Sequence, residues 1–271
     1  MLKIRPFLKW AGNKYHILEQ IKAVLPKGNR LIEPFVGSGA VFLNLVYQEY
    51  LLSDNNGDLI NLYLTLQAEG EPFINYCKSF FTEENNRKNR YYGLRELFNT
   101  TNENTLKAAL FIYLNRHGYN GLCRYNSKGG FNTPFGQYIK PKFPEKAMQH
   151  FLAKAKNAVF KVADFRDIMK TAKKGDVVYC DPPYAPLSAT ANFTAYSSGG
   201  FGSKEQVELA ESARDLAGRG IPVLVSNHAT EFILNAYKTA RIERLYVQRF
   251  ISCDGANRGK AEEVLALFEG A

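Results

Sequence analysis

The tetrapeptide Asp181-Pro182-Pro183-Tyr184 carries the residue types in this chain best suited to chemistry. Asp181 offers a carboxylate acceptor, and two consecutive prolines fix the backbone after it without amide hydrogens of their own, which turns the local carbonyls toward a ligand. Tyr184 adds a flat ring. The set suits a planar ligand with an exocyclic amine, offering acceptors for its hydrogens and a ring for its face; adenine has that form. The preceding apolar run, Val177-Val178-Tyr179-Cys180, reads as a strand of a parallel sheet, and ligands collect at the carboxyl ends of such strands.

Other elements must place this segment. Leu31-Ile32-Glu33-Pro34-Phe35 reads as a short buried strand, and Val36-Gly37-Ser38-Gly39 as a tight turn into a helix over 40–47. Leu51-Leu52 begins a second strand that ends at Asp54, where an acid after the second strand accepts from a ribose hydroxyl. Residues 59–115 have helical spacing, seen in Leu59, Leu62, Tyr63 and Leu66 and again in Leu106, Ala109, Leu110, Tyr113 and Leu114. Within 118–136, rich in Gly, Asn and aromatics, Gly129-Gly130 is expected to turn a hairpin between arms 122–126 and 131–135. Alternation then resumes, with a helix over 147–156 and strands over 158–162 and 222–225, the last followed by Ser226-Asn227-His228. Strands over 244–251 and 263–268, joined by the polar loop 254–260, are expected to pair antiparallel at the sheet edge. The fold class expected is α/β, with residues 1–54 and 145–271 as one discontinuous domain and 55–144 inserted into it.

With 271 residues, 45% of them hydrophobic, the chain can bury a normal core without staples. Its net charge of +9 points to a polyanionic partner, because Lys and Arg attract phosphates and release counterions on binding. Distribution sharpens this: Arg116, Arg124, Lys128, Lys140, Lys142 and Lys146 face one acid, Glu145, between 115 and 146. The scattered Cys77, Cys123, Cys180 and Cys253 lack zinc-site or disulfide-framework spacing, so no metal is expected and a reducing cytoplasm is the expected location. A basic N-terminal segment broken by Pro6 and Gly12, and the lack of any run near the roughly 18 apolar residues of a membrane helix, predict neither secretion nor insertion.

Five segments in order carry a resemblance. They are Phe7-Leu8-Lys9-Trp10-Ala11-Gly12-Asn13-Lys14, then Glu33-Pro34-Phe35-Val36-Gly37-Ser38-Gly39, then Asn115-Arg116-His117-Gly118-Tyr119-Asn120-Gly121-Leu122-Cys123-Arg124-Tyr125-Asn126, then Phe131-Asn132 with Pro134-Phe135-Gly136, and Asp181 to Tyr184 with its extension to Tyr196. Nearly end to end, the chain resembles DNA adenine N6-methyltransferases of the Dam type. The resemblance implies a Rossmann-like S-adenosylmethionine-dependent methyltransferase sheet with an antiparallel edge hairpin, and an inserted helical and β-hairpin target-recognition domain. It also implies S-adenosylmethionine as methyl donor and an adenine flipped out of GATC duplex DNA as acceptor.

The expected roles follow. Asp181 and the Pro182 carbonyl take the amine hydrogens, Pro183 stiffens the segment and Tyr184 stacks on the base. Cofactor contacts are expected from Trp10, Lys14, Glu33, Phe35, Gly37, Gly39, Asp54, Asp164, Phe165 and Asp181. Lys14 would meet the methionine carboxylate, and Asp164 the adenine amine of the cofactor. Arg124 is the expected guanine reader, with Lys9 a second candidate; Asn120, Leu122 and Pro134 would touch neighbouring bases, and Tyr119 would wedge into the stack. Phosphate contacts are expected from Arg95, Asn126, Lys128, Gln137, Tyr138, Lys140 and Arg258, and a lid from 188–196 with Asn192, Phe193 and Tyr196. Asp254 beside the basic residues of its loop, and uncharged Gln137, weaken two of those contacts. A monomer without an obligate protein partner is expected.

Other readings share parts of the pattern. A methyltransferase acting on cytosine N4, RNA adenine or protein glutamine would use the same amine logic, and transfer assays on each acceptor separate them. An oxidoreductase would share the glycine turn and Asp54, yet the full dinucleotide fingerprint is missing. A silent DNA-binding module has no use for Asp181, and cofactor binding distinguishes it. A cytosine C5 enzyme needs a Pro-Cys pair, which does not occur.

Overall fold

The computed structural model describes residues 3–185, 201–248 and 260–270. Its strands are β1 (Arg30–Glu33), β2 (Glu49–Asp54), β3 (Ala158–Val162), β4 (Asp176–Cys180), β5 (Val223–His228), β6 (Arg241–Gln248) and β7 (Lys260–Phe268). They form a seven-stranded sheet in the order β3-β2-β1-β4-β5-β7-β6. The helices are α1 (Leu18–Val24), α2 (Ala40–Asn44), α3 (Gly57–Glu69), α4 (Glu71–Ser79), α5 (Lys88–Thr100), α6 (Asn104–His117), α7 (Glu145–Ala155), α8 (Phe165–Lys170), α9 (Ser203–Gly218) and α10 (Glu231–Ala236). None among the described residues is long and apolar enough to cross a membrane. The chain divides into two compact units.

The first unit comprises Met1–Leu18, Val36–Val46 and Tyr50–Val162. β2 and β3 run parallel in it, from Tyr50 opposite Ala158 to Asp54 opposite Val162. Asn56 caps α3 by accepting from the Leu59 amide, and Gly70, at φ 61°, ends it. Leu59, Leu62, Tyr63 and Leu66 are fully buried, as their spacing requires. Residues 108–115 of α6 are all buried, so this stretch of the helix is enclosed on every side and runs through the unit's core. Phe7, Phe42, Tyr63, Phe151 and Phe160 form an aromatic cluster, with Tyr63 stacked on Phe151 at 4.6 Å. α2 stops at Asn44, three residues before the expected end at 47, because Leu45 is extended.

The expected hairpin arms do not build a ladder. One isolated bridge, Tyr125 to Phe131, joins them, and another ties Gly118 to Phe135. Thr133 substitutes its side chain: its hydroxyl donates to the Leu122 carbonyl and accepts from the Arg124 amide, while the Asn132 amide donates to the Arg124 carbonyl. The Gly129-Gly130 turn is present, with Asn126 Oδ1 accepting from the Lys128 and Gly130 amides.

His117 ends α6 almost fully buried, its ring stacked on Tyr113 at 4.1 Å and Nδ1 donating to the Tyr113 carbonyl. Burial, with nearby Lys9, lowers its pKa to about 4 against the backbone bond that raises it. The unfolded chain therefore takes up this proton first as pH falls. The contribution is fully present above about pH 6.5 and is lost toward pH 4, amounting to about 3 kcal/mol. Urea midpoints should fall over that window, and His117→Gln should flatten part of the slope; an unchanged slope in the variant refutes the assignment.

The second unit comprises Glu19–Phe35, Tyr47–Glu49 and Ala163–Ala271. β1, β4 and β5 are parallel, and strand order reverses between β1 and β4, the switch point where such sheets bind ligands. β4 is buried throughout, which explains its continuous apolar run. Arg30 and Asp176, opposite one another in register, close the start of both strands with a bidentate pair at 3.1 and 2.6 Å. β7 lies antiparallel between β5 and β6, so 264–268 are buried and β6 takes the edge. β6 begins three residues earlier than expected because its exposed Arg241 and Glu243 hide the strand pattern. α9 packs Leu209, Ala210, Ala213, Leu216 and Ala217 inward.

Candidate active site

In the second unit the chain leaves β4 at Asp181 and is held by side chains. Ser226 Oγ, at the end of β5, donates to Asp181 Oδ1 at 3.0 Å, which orients the carboxylate. Gln206 Nε2 of α9 donates to the Pro183 carbonyl at 2.7 Å, whereas the Pro182 carbonyl has no hydrogen bond among the described residues. Asn227 Oδ1 accepts from the Ala185 amide at 3.1 Å. The half-buried Tyr184 donates its hydroxyl to Glu263 Oε2 at 3.1 Å, and its ring meets the His228 ring edge-on at 4.7 Å. Burial first, then the charges of Asp181 and Glu263, keep that phenol well above its ordinary pKa and therefore protonated. The arrangement presents a carboxylate, a carbonyl and a ring whose plane is fixed.

Glu33 lies buried at the end of β1, and Phe35 just beyond stacks on Phe165 at 5.5 Å, with Phe201 edge-on to Phe35. Asp164 caps α8, its Oδ1 accepting from the Arg166 amide and its Oδ2 from Arg166 Nη1. Arg166 also binds Glu208, so Asp164 shares its cation with a second acid.

The first unit holds the glycine turn. Gly37 and Gly39 adopt φ of 47° and 71°, a region that favours glycine. A Cβ on Gly37 would lie 2.8 Å from Trp10 Nε1, so the backbone passes against the indole with no room for a side chain. Asp54 Oδ2 accepts from the Gly37 amide at 3.1 Å and Oδ1 from the Asn56 amide at 3.0 Å. Burial raises the Asp54 pKa, and the amides of Asn56, Gly37 and Asn55 oppose the rise. Lys14 is buried and donates to the Gly12 carbonyl at 2.7 Å. A positive-φ glycine turn that admits no Cβ at Gly37, and an acid fixed by amides, fit a ribose-bearing, carboxylate-bearing cofactor.

The same unit gathers the expected DNA contacts. Arg124 is exposed, with Nε donating to Asn132 Oδ1 at 2.7 Å and Nη2 to the Asn132 carbonyl at 3.2 Å. Lys9 Nζ lies over the Tyr138 ring at 4.1 Å, and the Tyr138 hydroxyl accepts from the Asn120 amide. Asn120 itself has φ 53°, and Tyr119 beside it is 52% exposed. Leu122 is half-buried, Pro134 exposed, and Lys128, Gln137 and Lys140 exposed. Arg95 Nη1 donates to the Thr133 carbonyl, and Asn126 secures the turn, so both serve the scaffold as they stand. Arg258 and the lid residues Asn192, Phe193 and Tyr196 lie outside the described residues.

The supporting roles of several residues emerge only from the fold. Fully buried Asn115 accepts from the Lys9 amide and donates to the Lys9 and Gly121 carbonyls, tying the N-terminal segment to the turn before Arg124. Ser226, Asn227 and His228 stand at a strand end, a position that signals function, and Asn132 falls in the Phe131-Asn132 segment; Gln206 and Glu263 carry no local signal.

A family model described as D12 class N6 adenine-specific DNA methyltransferase matches residues 10–251. The DNA adenine methylases of Salmonella typhi and Escherichia coli strain K12 are each 50% identical over 269 residues, 99% of this chain and 97% of theirs. That of Serratia marcescens is 49% identical over 99% of this chain and 100% of its own length. Together with an acid, a carbonyl and an oriented ring at the end of β4, these matches show that the chain belongs to the D12 class of N6 adenine-specific DNA methyltransferases.

Proposed function

We propose that this DNA adenine methyltransferase takes its methyl group from S-adenosylmethionine and places it on N6 of an adenine flipped out of duplex DNA, in the sequence GATC. The observation that carries the reading is the Asp181 to Tyr184 segment, where the Pro183 carbonyl is engaged by Gln206 and the adjacent Pro182 carbonyl is not, among the described residues. Asp181 and that carbonyl accept the two hydrogens of the target amine. The amine is a poor nucleophile because its lone pair is delocalised into the ring, and both acceptors gain as positive charge grows on nitrogen. Tyr184 stacks on the base, its plane held by Glu263 and His228.

S-Adenosylmethionine, when bound, supplies an electrophilic methyl group on its sulfonium. In the first unit Asp54 accepts from ribose hydroxyls, the backbone at Gly37 and Gly39 lies along the methionine portion with Trp10, and Lys14 meets its carboxylate. In the second unit Phe35 and Phe165 face the adenine ring, Asp164 accepts from its amine, and Glu33 ends the strand that presents Phe35. What supports these roles is the positive-φ glycine turn packed against Trp10 and the fixed carboxylate of Asp54.

For DNA, residues 55–144 form the target-recognition domain inserted into a catalytic domain of 1–54 and 145–271. Arg124 reads a guanine, supported by Asn132 fixing its plane while both Nη atoms retain hydrogens for two acceptors. Tyr119 fills the space of the extruded base, and Lys9, Asn120, Leu122 and Pro134 contact its neighbours. Arg95 and Asn126, through the N–H donors their scaffold bonds leave over, hold phosphates together with Tyr138 and Arg258. The enzyme acts as a monomer in the cytoplasm.

Labelled methyl transfer to a GATC duplex, to one with a single changed base pair, to a cytosine-only target and to RNA tests the reading; transfer to the first alone is expected. Arg124→Ala should lose about 1–3 kcal/mol of discrimination at one base pair and little elsewhere. A uniform loss over all sites would make Arg124 a phosphate contact instead.

A further inference from the structure

The Asp181 to Ala185 segment has few bonds of its own. Pro182 and Pro183 lack amide hydrogens, and the segment lies beyond the last residue of β4 that pairs with β5. Three side chains hold its backbone instead, beside Ser226 and Glu263, which hold the Asp181 and Tyr184 side chains. Gln206 Nε2 donates to the Pro183 carbonyl at 2.7 Å, Asn227 Oδ1 accepts from the Ala185 amide at 3.1 Å, and His228 Nδ1 lies 2.7 Å from the Ala185 carbonyl. Gln206 and Asn227 are buried, at 2% and 0% exposure.

Their orientation follows from chemistry. A carbonyl only accepts, so Gln206 must aim its amide nitrogen at Pro183 and its oxygen at Asn227 Nδ2, 2.9 Å away. That donor end forces Asn227 to turn Oδ1 toward the Ala185 and His228 amides, and Nδ2 also reaches the Tyr237 hydroxyl at 3.2 Å. Each member has its partners, and no amide can flip without breaking several bonds at once. By engaging the Pro183 carbonyl but not its neighbour, the relay fixes which carbonyl is left to meet the substrate.

We infer that Gln206 and Asn227 are positioning residues for methyl transfer: they hold residues 183–185 so that the Asp181 carboxylate and the Pro182 carbonyl stay at the spacing of one amine. The inference rests on the reading of Asp181 and Pro182 as the amine acceptors. Neither side chain touches substrate; loosening either displaces the acceptors.

The test is single-turnover methyl transfer to a GATC duplex at saturating S-adenosylmethionine, in the wild type, Gln206→Met and Asn227→Ser. The rate constant should fall about 10- to 100-fold, the loss expected from a displacement near 1 Å, with the reactive amplitude and cofactor affinity within about twofold of wild type. A purely structural role would lower the amplitude and the melting temperature and leave the rate constant of the folded fraction unchanged. Gln206→Glu keeps the shape and the acceptor for Asn227 but loses the donor to Pro183; it serves if the methionine variant does not fold, and should be slow as well. Wild-type rate constants in these variants overturn the inference alone. Wild-type rates in Asp181→Ala overturn the acceptor reading, and this inference with it.

Discussion

Asp181→Ala is expected to lower the methyl-transfer rate constant by about 10²–10³-fold or more while the melting temperature moves by only a few degrees. The size follows from the site: removing one fixed acceptor of developing charge from a preorganised site costs roughly 3–4 kcal/mol of transition-state stabilisation. Stability is spared because Ser226, which donates to Asp181, also has the Cys180 carbonyl and the Tyr179 hydroxyl within hydrogen-bonding distance. Asp181 is half-buried rather than packed into the core, so the change opens no interior cavity. Full turnover in the variant would remove Asp181 from the mechanism.

Asn115→Ala should produce the largest loss of stability. Its amide accepts from the Lys9 amide at 2.9 Å and donates to the Lys9 and Gly121 carbonyls at 2.7 and 2.9 Å. Alanine leaves these groups without those partners in a buried place, which costs about 3–5 kcal/mol in sum. The loss also reaches the DNA side. Gly121, at φ 67°, packs so tightly on Lys9 that a Cβ would lie 2.3 Å from the Lys9 Cβ, and Lys9 in turn sits over Tyr138. Urea unfolding measures the first effect, and duplex affinity should fall more than cofactor affinity. Stability within about 0.5 kcal/mol of wild type contradicts this account of Asn115.

How much could be read in advance differs by element. β3 spans the expected 158–162, with Ala158 and Phe160 buried and Val159 and Lys161 between and beyond them exposed, and β4 lies within one residue of its apolar run, because a strand buried in a parallel sheet is continuous in apolar residues and sharply bounded. α9 is hidden in the sequence despite its 16 residues, since three of its five inward apolar positions are alanines amid charges and the amphipathic stripe is faint. The arms around Gly129 resemble strands in composition, but Thr133 and Asn132 replace the ladder with side-chain bonds that composition does not reveal. The site shows the same division. Asp181 to Tyr184 announces itself by residue type, whereas the groups that hold it come from 23 residues away at Gln206 and 79 at Glu263, and only the fold joins them.

The most direct test of the central claim is to incubate unmethylated genomic DNA with the purified protein and S-adenosylmethionine and to sequence the modified positions. N6-methyladenine in GATC on both strands, and at no other motif, is the predicted result. Methyl groups on cytosine, on adenines outside GATC, or on no base at all would contradict it.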